Sequence, residues 1–403
     1  MLSQEKLSEN WLCKVYCVKE SLQESFYHKT VLLFGAVMKR TALTLTLISA
    51  LLVVLVVGLQ SVKASPKTIV VPDDYPTIQA AVDHASAGDR VFVRKGIYNE
   101  NVIVDKSLSL KGENSEETVI WGQFSESSKV ISTIVAVNAA ISGFTITGKA
   151  LGIIAGSGCS IIGNNIKNNL NEGIHVRDGN VLISGNNISG NGEEGNDGVG
   201  VSAFGTNVTI RENNISNNFG GINLYMYGPL YVYGNNIADN HGCGIQFDIE
   251  CNSSIVYQNN MIRNNVGVKL DHDRGTPPIN PTLIGRVNMV YRNNFVDNSQ
   301  QVVVEKSRTA VVSWDNGTVG NYWSDYTSID NNGDGIGDTA YTIDENNTDY
   351  HPLINPITIP ESLDEKPTLT NTQPFPTTIV ATALVFVAII GIGGLVYFKK
   401  RKH

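Results

Sequence analysis

The feature that most constrains this chain is a short phrase that returns six times between Cys159 and Asn298. In each copy two asparagines precede an apolar residue, as in Asn164-Asn165-Ile166, and a further asparagine follows soon after. The first asparagine of each pair lies at position 164, 186, 213, 235, 259 or 293, so the spacings are 22, 27, 22, 24 and 34 residues. Repeats of roughly 20 to 50 residues are typical of solenoids, whose units bury their apolar faces against each other. The longer spacings contain insertions at 192–197 and 276–281, which we interpret as loops.

Inside each unit, apolar and polar residues alternate over very short runs, for example at 181–183, 208–210 and 230–233. Gly and Asn bound these runs, which predicts strands of roughly 3 to 5 residues and leaves no room for long helices. Asparagine tolerates left-handed backbone conformations, and its amide bonds to the same side chain one coil away. An asparagine at the same corner of every coil therefore predicts a stacked ladder of side chains.

These features together resemble a right-handed parallel β-helix of the pectin-lyase type, a superfamily of carbohydrate-binding and sugar-hydrolysing proteins. The resemblance implies an all-β fold, a right-handed single-stranded parallel β-helix over residues 123–310. We also expect an N-terminal cap helix and hydrophobic helices at both termini.

The amino-terminal third contains a predicted export segment and a predicted cap. Residues 1–37 show no pattern and form an extension that we expect to be missing from the mature protein. Met38-Lys39-Arg40 begins a basic region followed by an uncharged apolar run, so 38–64 predicts a signal peptide or a signal anchor, with Met38 as the true start. Residues 65–122 predict the cap and first coils, because Ile78, Ala81, Val82 and Ala85 have helical spacing. The phrases at 75–81 and 96–102 are similar to the cap of pectin-methylesterase-like β-helices.

The carboxyl-terminal part predicts a tail, a stalk and an anchor. Residues 311–354 contain phrases at 320–326, 330–338 and 350–353 that resemble the end of NosD-type β-helix proteins, named for a periplasmic accessory protein implicated in copper delivery to nitrous oxide reductase. Residues 355–378 are rich in proline and threonine and predict an extended stalk. Residues 379–398 are uncharged and precede a basic tail at 399–403, which predicts a transmembrane helix that leaves the β-helix outside the cell.

Composition restricts the partners and the redox chemistry. The chain has 403 residues and a net charge of −8, without a basic cluster in the predicted folded part, which argues against nucleic acid as a partner. Outside the first 64 residues the cysteines are Cys159, Cys243 and Cys251. Either Cys243 and Cys251 form a disulfide bond, or all three are small core residues; the second interpretation is favoured.

One face of the predicted solenoid carries polar side chains in two columns. Side chains alternate across a strand, so in the strands that follow each asparagine corner the non-apolar members point outward. We predict one column of His175, Gly200, Asn223, Gln246 and Lys269, and a second of Arg177, Ser202, Tyr225, Asp248 and Asp271. Apart from Gly200 and Ser202, these residues are the predicted ligand-binding face. Such a face suits a sugar polymer, although every β-helix must also expose some solvated face here.

The candidates for catalysis lie at the end of this face. Asp248, Lys269, Asp271 and Arg274 are grouped by the predicted coils, near Glu250, His272 and Asp273. Two carboxylates one coil apart suit glycoside hydrolysis, and a base beside Lys or Arg suits a polysaccharide lyase. The chain shows no run that resembles the catalytic motifs of polygalacturonases, pectin esterases or pectate lyases. The favoured hypothesis is therefore binding of carbohydrate or another extended surface ligand without catalysis; the alternatives are a lyase or hydrolase, an adhesive surface spike, and a copper-handling accessory protein.

A second candidate site is a calcium loop in the tail. Asp330, Asn332, Asp334 and Asp338 offer oxygen ligands, Ile336 offers its carbonyl, and Gly335 allows a sharp turn. Tyr341 occupies the position of the bidentate glutamate of an EF-hand, so we predict a structural Ca²⁺ site rather than a helix-loop-helix sensor. Copper is implied only by the NosD resemblance, because the histidines and methionines form no motif; His175 and Met226 would meet only through stacking of coils.

Six Asn-x-Ser/Thr sequons are compatible with surface glycosylation. They begin at Asn187, Asn207, Asn214, Asn252, Asn316 and Asn346. Asn187 and Asn214 are expected within the buried corner ladder, where an amide has no room for a sugar.

Overall fold

The computed structural model describes residues 65–123, 132–148, 151–192, 198–225, 228–248, 251, 253–271, 288–305 and 312–359, with some positions between 29 and 49. The chain divides into two compact units, Met1–Ser65 and Pro66–His403. In the first unit the described positions are helical. No helix within the described residues is long and apolar enough to cross a membrane. Most of the predicted signal segment, nearly all of the stalk, the transmembrane helix and the basic tail lie outside the described residues.

The second unit is a solenoid with three parallel sheets, and consecutive strands pass from sheet 1 to sheet 2 to sheet 3. Sheet 1 contains β1 Thr68–Val71, β2 Arg90–Val93, β5 Ser109–Gly112, β8 Ala140–Ser142, β11 Ser160–Ile162, β14 Leu182–Ser184, β17 Val208–Arg211, β20 Leu230–Tyr233, β23 Ile255–Tyr257, β26 Asn288–Tyr291 and β29 Val312–Ser313. Sheet 2 contains β3 Gly96–Tyr98, β6 Thr118–Gly122, β9 Thr145–Gly148, β12 Asn165–Asn169, β15 Asn187–Ser189, β18 Asn214–Ser216, β21 Asn236–Ala238, β24 Asn260–Ile262, β27 Asn294–Val296 and β30 Tyr322–Trp323.

Sheet 3 carries the face on which the ligand site was predicted. It contains β4 Val102–Val104, β7 Ser132–Ala136, β10 Leu151–Ala155, β13 Ile174–Val176, β16 Val199–Ala203, β19 Gly220–Leu224, β22 Cys243–Phe247, β25 Val266–Leu270 and β28 Gln300–Val304. A short antiparallel pair, β31 Tyr341–Thr342 and β32 Thr348–Asp349, follows the last coil. The all-β parallel solenoid predicted from the repeat is confirmed.

The core is a stack of apolar side chains from all three sheets. In sheet 2, for example, Ile166, Ile188, Ile215 and Ile237 follow one another in successive coils, and each is 0% exposed. Because the side-chain period of a strand is two, one inward residue in each short strand places its neighbours outside. The alternation in the sequence is thus sufficient to build the core.

Two asparagine ladders run along the corners of the solenoid. In the first, each Nδ2 donates to Oδ1 of the next coil at 2.9–3.1 Å, through Asn164, Asn186, Asn213, Asn235, Asn259, Asn293 and Asn321. The second connects Asn169, Asn191, Asn218, Asn240, Asn264 and Asn298 in the same way. The predicted ladder is confirmed, and the sequence interpretation missed that there are two.

The second asparagine of each pair lies outside the ladder. Asn187 and Asn214 are exposed, and Asn214 Nδ2 donates to Asn187 Oδ1 at 3.1 Å. Their placement in the buried ladder was wrong. The physical reason is the alternation of the strand: Asn186 points inward at the corner, so its neighbour Asn187 must point to solvent.

A column of glycines lines the start of the strands in sheet 3. It contains Gly152, Gly173, Gly200, Gly221, Gly244 and Gly267. A Cβ added at Gly221 would lie 2.2 Å from the carbonyl oxygen of Gly244, and the neighbouring glycines are similarly close to the next coil. Only glycine allows this approach of backbone beside the second asparagine ladder.

Helix α1, Ile78–His84, closes the first end of the solenoid, and its prediction is confirmed. Thr77 caps the helix by accepting a hydrogen bond from the Ala80 amide, and Ile78, Ala81 and Val82 are buried. The Glu100 carboxylate accepts hydrogen bonds from the Ile78 and Gln79 amides at 3.0 Å, which satisfies two more of the unpaired donors of the first turn.

Candidate functional site

The outward face of sheet 3 has two columns, and one coil differs from the prediction. The register pairs His175 with Ser202, and then Ser202 with Asn223, Asn223 with Gln246, and Gln246 with Lys269. Ser202 thus takes the place predicted for Gly200, which belongs to the glycine column. The position predicted for Ser202 in the other column is taken by Phe204, whose backbone N–H donates to Val176. That column runs through Arg177, Phe204, Tyr225, Asp248, Asp271 and Glu305.

The error is a slip of two residues in β16. A slip of two preserves the alternation, so Val199-Gly200-Val201 fits the core as well as Val201-Ser202-Ala203 does. The structure pairs Ile174 with Val201 because Gly200 must stack between Gly173 and Gly221. A glycine before the first inward residue of each strand was the signal that identifies the register.

Phe204, which the sequence interpretation missed, is the centre of an aromatic stack. Its ring lies 4.1 Å from that of Tyr225 at an interplanar angle of 4°, and 5.1 Å from that of His175 at 35°. Because the three residues come from successive coils, the rings follow one another along the solenoid axis, stacked between Phe204 and Tyr225 and tilted between His175 and Phe204. The stack therefore ends at Tyr225 on the side of the Asp248 coil.

A polar cluster adjoins the other end of the stack. Glu172 accepts a hydrogen bond from Ser202 Oγ at 2.8 Å, and its second carboxylate oxygen lies 2.6 Å from His175 Nδ1. Ser202 is 1% exposed. Glu172 thus fixes both side chains, and the arrangement orients the imidazole of His175 against Phe204.

An open cleft of about 430 Å³ begins where the aromatic stack ends. Its lining residues are Val199, Phe219, Gly220, Asn223, Tyr225, Gly242, Cys243, Gln246, Asp248, Lys269 and Asp271. Six predicted members of the ligand-binding face, Asn223, Tyr225, Gln246, Asp248, Lys269 and Asp271, therefore meet at one cleft. His175, which belongs to the polar cluster, and Arg177 do not line the cleft.

The acidic end of the cleft is hydrogen-bonded and ion-paired. Asp271 is 4% exposed; it accepts a hydrogen bond from Gln246 Nε2 at 2.9 Å and lies 3.7 Å from Lys269 Nζ. Lys269 also lies 3.3 Å from Glu305. Burial opposes the charge of Lys269, but Asp271 and Glu305 outweigh burial and raise the pKa of the lysine. The structure brings together Asp248, Lys269 and Asp271, whereas Arg274, with Glu250, His272 and Asp273, lies outside the described residues.

Cys159, Cys243 and Cys251, the cysteines within the described residues, are free thiols, so the Cys243–Cys251 disulfide alternative does not hold. Cys159 and Cys251 are buried in the core, as favoured, while Cys243 lines the cleft. Burial raises the pKa of the Cys243 thiol to about 11, so this group is a neutral thiol at physiological pH.

The predicted calcium loop forms a tight turn in the tail. Asp330 accepts hydrogen bonds from the amides of Gly333, Asp334 and Gly335, and Asp334 accepts one from the Ile336 amide. Asp338 bonds instead to Asn331. Within the described residues no group of three or more His, Cys, Asp or Glu side chains is arranged to hold a metal ion. Both metal predictions stay predictions; Met226, the suggested partner of His175 for copper, is not described.

Comparison with known proteins identifies the architecture. Residues 149–348 match the family model described as "Right handed beta helix region". The solenoid is a right-handed parallel β-helix. The chain is 48% identical over 59 residues to the "Probable ABC transporter binding protein NosD" of Stutzerimonas stutzeri, which is 15% of this chain and 13% of that protein. It is 36% identical over 127 residues to a "Cell surface glycoprotein" of Methanothermus fervidus, which is 30% of this chain and 21% of that protein.

Solved structures resemble the β-helix in fold. The family 28 exopolygalacturonase of Yersinia enterocolitica has a TM-score of 0.41 at 13% identity, and the match covers 64% of each chain. The Dettilon tailspike protein gives 0.41 at 14% identity, with 64% of this chain and 66% of that chain covered. At these TM-scores neither structure carries an argument about this chain.

Proposed function

We propose that this β-helix is a cell-surface protein that binds an extended carbohydrate along the outward face of sheet 3. The observation that carries the proposal is the aromatic stack that ends at the cleft with Tyr225. Aromatic faces pack against the apolar faces of sugar rings, and amide and carboxylate groups bond to sugar hydroxyls. Asn223, Gln246 and Asp248 supply such groups within the same cleft.

The geometry favours binding over catalysis. Asp248 and Asp271 follow one another in successive coils, so their backbones lie about 4.8 Å apart, which is the reason for considering a hydrolase or lyase. Asp271, however, is 4% exposed and already engaged by Gln246 and Lys269. A carboxylate in that position supports the cleft wall, whereas a nucleophile or base must reach the substrate.

The surface location rests on sequence relatives. One relative is named "Cell surface glycoprotein" and another is named as a probable ABC transporter binding protein. The apolar segment 379–398 is the proposed membrane anchor, which would leave the β-helix outside the cell. A spike without ligand and a copper-handling accessory protein remain the competing proposals, and each predicts a different result below.

The decisive experiment measures retention of the full chain on a panel of neutral and acidic polysaccharides, together with release of new reducing ends. We expect retention without cleavage, and an affinity about fivefold lower in Tyr225→Ala, because one aromatic contact contributes ~1 kcal/mol. Tyr350→Ala is the matched control, since Tyr350 is 68% exposed and far along the chain from the cleft.

Other results would replace the proposal. New chain ends that disappear in Asp248→Ala would establish an enzyme. Equal retention of wild type and Tyr225→Ala would show that the carbohydrate binds elsewhere than at the aromatic stack. Absence of retention on every polymer would leave the spike, and uptake of copper without retention would favour the accessory protein.

We also propose that the loop from Asp330 to Asp338 binds a structural Ca²⁺. Its support is the donor chemistry: Asp330, Asn332, Asp334 and Asp338 offer oxygen ligands from one short stretch, in which Asp330 is half-buried and the other three are exposed. We expect Ca²⁺ to raise the melting temperature of the full chain, and Asp334→Ala to abolish the increase. Asp344→Ala, in the next turn, should keep it. Calorimetric titration that detects no Ca²⁺ uptake contradicts the proposal.

A further inference from the structure

One exposed sequon differs from the others because it lies in a loop and because its asparagine side-chain oxygen accepts hydrogen bonds from within that loop. Asn316-Gly317-Thr318 lies between β29 and β30, and all three residues are exposed. Asn316 Oδ1 accepts hydrogen bonds from the Thr318 amide at 3.0 Å, from Thr318 Oγ1 at 2.8 Å and from the Val319 amide at 2.9 Å. The carbonyl side of the amide is therefore turned into the loop, and Nδ2 is on the solvent side.

The loop is held in this shape by buried residues on one side. Asp315, which is 8% exposed, accepts a hydrogen bond from the Gly317 amide at 2.7 Å, and its other oxygen accepts one from Tyr350. Trp314, 1% exposed, donates to Asn347 Oδ1 at 3.1 Å. Gly317 has a φ of +87°, with open space around its Cα. The sequon is thus a rigid protrusion whose tip is open.

The asparagines of the other described sequons are exposed as well, but each lies in a paired strand, donates its amide to a neighbouring side chain or adjoins a buried residue. Asn214 lies in β18, paired with a strand on each side, and its Nδ2 donates to Asn187. Asn187 lies in β15, again between two paired strands. Asn207 Nδ2 donates to Asn180 at 2.7 Å. In the sequon of Asn346 the middle residue, Asn347, is buried and bonded to Trp314 and Asp344.

We infer that Asn316 is a site of N-linked glycosylation. The donor is a sugar chain joined through phosphate to a membrane lipid, and a transferase supplies the base. A bond forms between Asn316 Nδ2 and C1 of the first sugar, while the bond from C1 to the phosphate oxygen breaks. The lipid phosphate leaves with the electron pair, and the base takes one amide proton. Hydrogen bonds to Asn316 Oδ1 polarise the amide and make its N–H more acidic, which favours this proton loss.

The test needs a host in which the transferase reaches the β-helix. Glu116→Thr supplies a reporter, because it creates a sequon at Asn114, an exposed residue whose Oδ1 accepts from the residue-116 amide in the same type of turn. The full chain is produced with and without this reporter in a secretory host where the reporter gains a glycan. Glycopeptide mass spectrometry then locates the sugars.

We expect one glycan on Asn316 in the wild type, retained in Thr318→Ser and lost in both Thr318→Ala and Asn316→Gln. Asn187→Gln and Asn214→Gln should change neither the number of glycans nor their position. A chain that carries the reporter glycan but none on Asn316 overturns the inference. So does a glycan on Asn187 or Asn214 with Asn316 unmodified.

Discussion

At the scale of single residues, the asparagine ladder is a buried network of side-chain hydrogen bonds that connects each coil to the next. Asn213 Nδ2 donates to the Ile183 carbonyl and to Asn235, while Oδ1 accepts from the amide and the side chain of Asn186. Every polar atom of the side chain is engaged at 2% exposure. A fully satisfied network of this kind stabilises one register, and a half-satisfied one is costly.

Asn213→Ala should lower the free energy of unfolding by about 3 to 5 kcal/mol, because it leaves several buried donors and acceptors without partners. Asn214→Ala is the matched control: Asn214 is the next residue in the chain and is exposed, so the loss should stay below about 1 kcal/mol. Denaturant unfolding of the full chain measures both. Equal losses in the two variants would show that the ladder has no special stabilising role.

Residue patterns also show where sequence interpretation succeeds. The paired asparagines predicted the solenoid and its ladder, since the chemistry of Asn is local and repeats at one corner. They did not predict which asparagine faces inward, and the exposure of Asn187 corrects that point. Phe204 was missed because β16 was aligned with its neighbouring strands two residues out of register. A slip of two residues leaves the hydrophobic pattern unchanged, so the pattern could not reveal the error. Of the cleft, most lining residues were predicted, but the partners of Asp271 follow from packing alone.

At the scale of elements, the segment from β30 to β32 closes the solenoid with a buried acid. Asp349, 0% exposed, accepts hydrogen bonds from the Asn321 amide at 2.7 Å, from Trp323 Nε1 at 3.0 Å and from the His351 amide at 3.0 Å. Burial outweighs these bonds and raises the pKa of Asp349 to about 6. An ionised carboxylate is thus less stable here than in the unfolded chain.

The sign of the pH dependence follows from that difference. Since the folded pKa exceeds the ordinary value of 3.8, Asp349 contributes stability that is complete below pH 3.8 and is lost as the pH rises through about 6. The melting temperature of the wild type relative to Asp349→Asn should therefore fall between pH 4 and pH 7. Thermal melts of both proteins across this pH range test the prediction. A difference in melting temperature that does not change with pH contradicts it.

At the scale of the whole molecule, the solenoid is a stack in which each coil contacts its two neighbours. The residues from Asn214 to Asn235 form one complete coil with β18, β19 and β20, and the ladder asparagines Asn213 and Asn235 are 22 residues apart. Nearest-neighbour architectures have stabilities that are roughly sums over units. A deletion or insertion of one complete coil should therefore preserve the fold of the remaining coils.

Deletion of residues 214–235 should give a folded protein, because Asn213 would then continue directly into Asn236 and donate to Asn259. Its denaturant m-value should fall by about a tenth, in proportion to the surface lost. Deletion of 225–235, which removes half a coil, is the control and should fail to fold, since strands of sheet 3 would then run into sheet 2. Circular dichroism and denaturant unfolding distinguish the two.

The longer deletion also removes Tyr225, so it should fold and yet lose carbohydrate retention.

The direction of the ladders gives the molecule an electrical polarity. Each ladder amide between the two ends accepts at Oδ1 from the preceding coil, and one of its N–H groups donates to Oδ1 of the next coil, while the other donates to a backbone carbonyl of the preceding coil. The side-chain dipoles of each ladder therefore align head to tail, as peptide dipoles do in an α-helix. The positive end of the first ladder faces Asp349, whose carboxylate accepts a hydrogen bond from Asn321 Nδ2 at 3.4 Å. The second passes through Gln301, which accepts from Asn298 and donates to Asp325. Two carboxylates thus terminate two parallel rows of dipoles, and each coil added to such a protein lengthens the array that they neutralise.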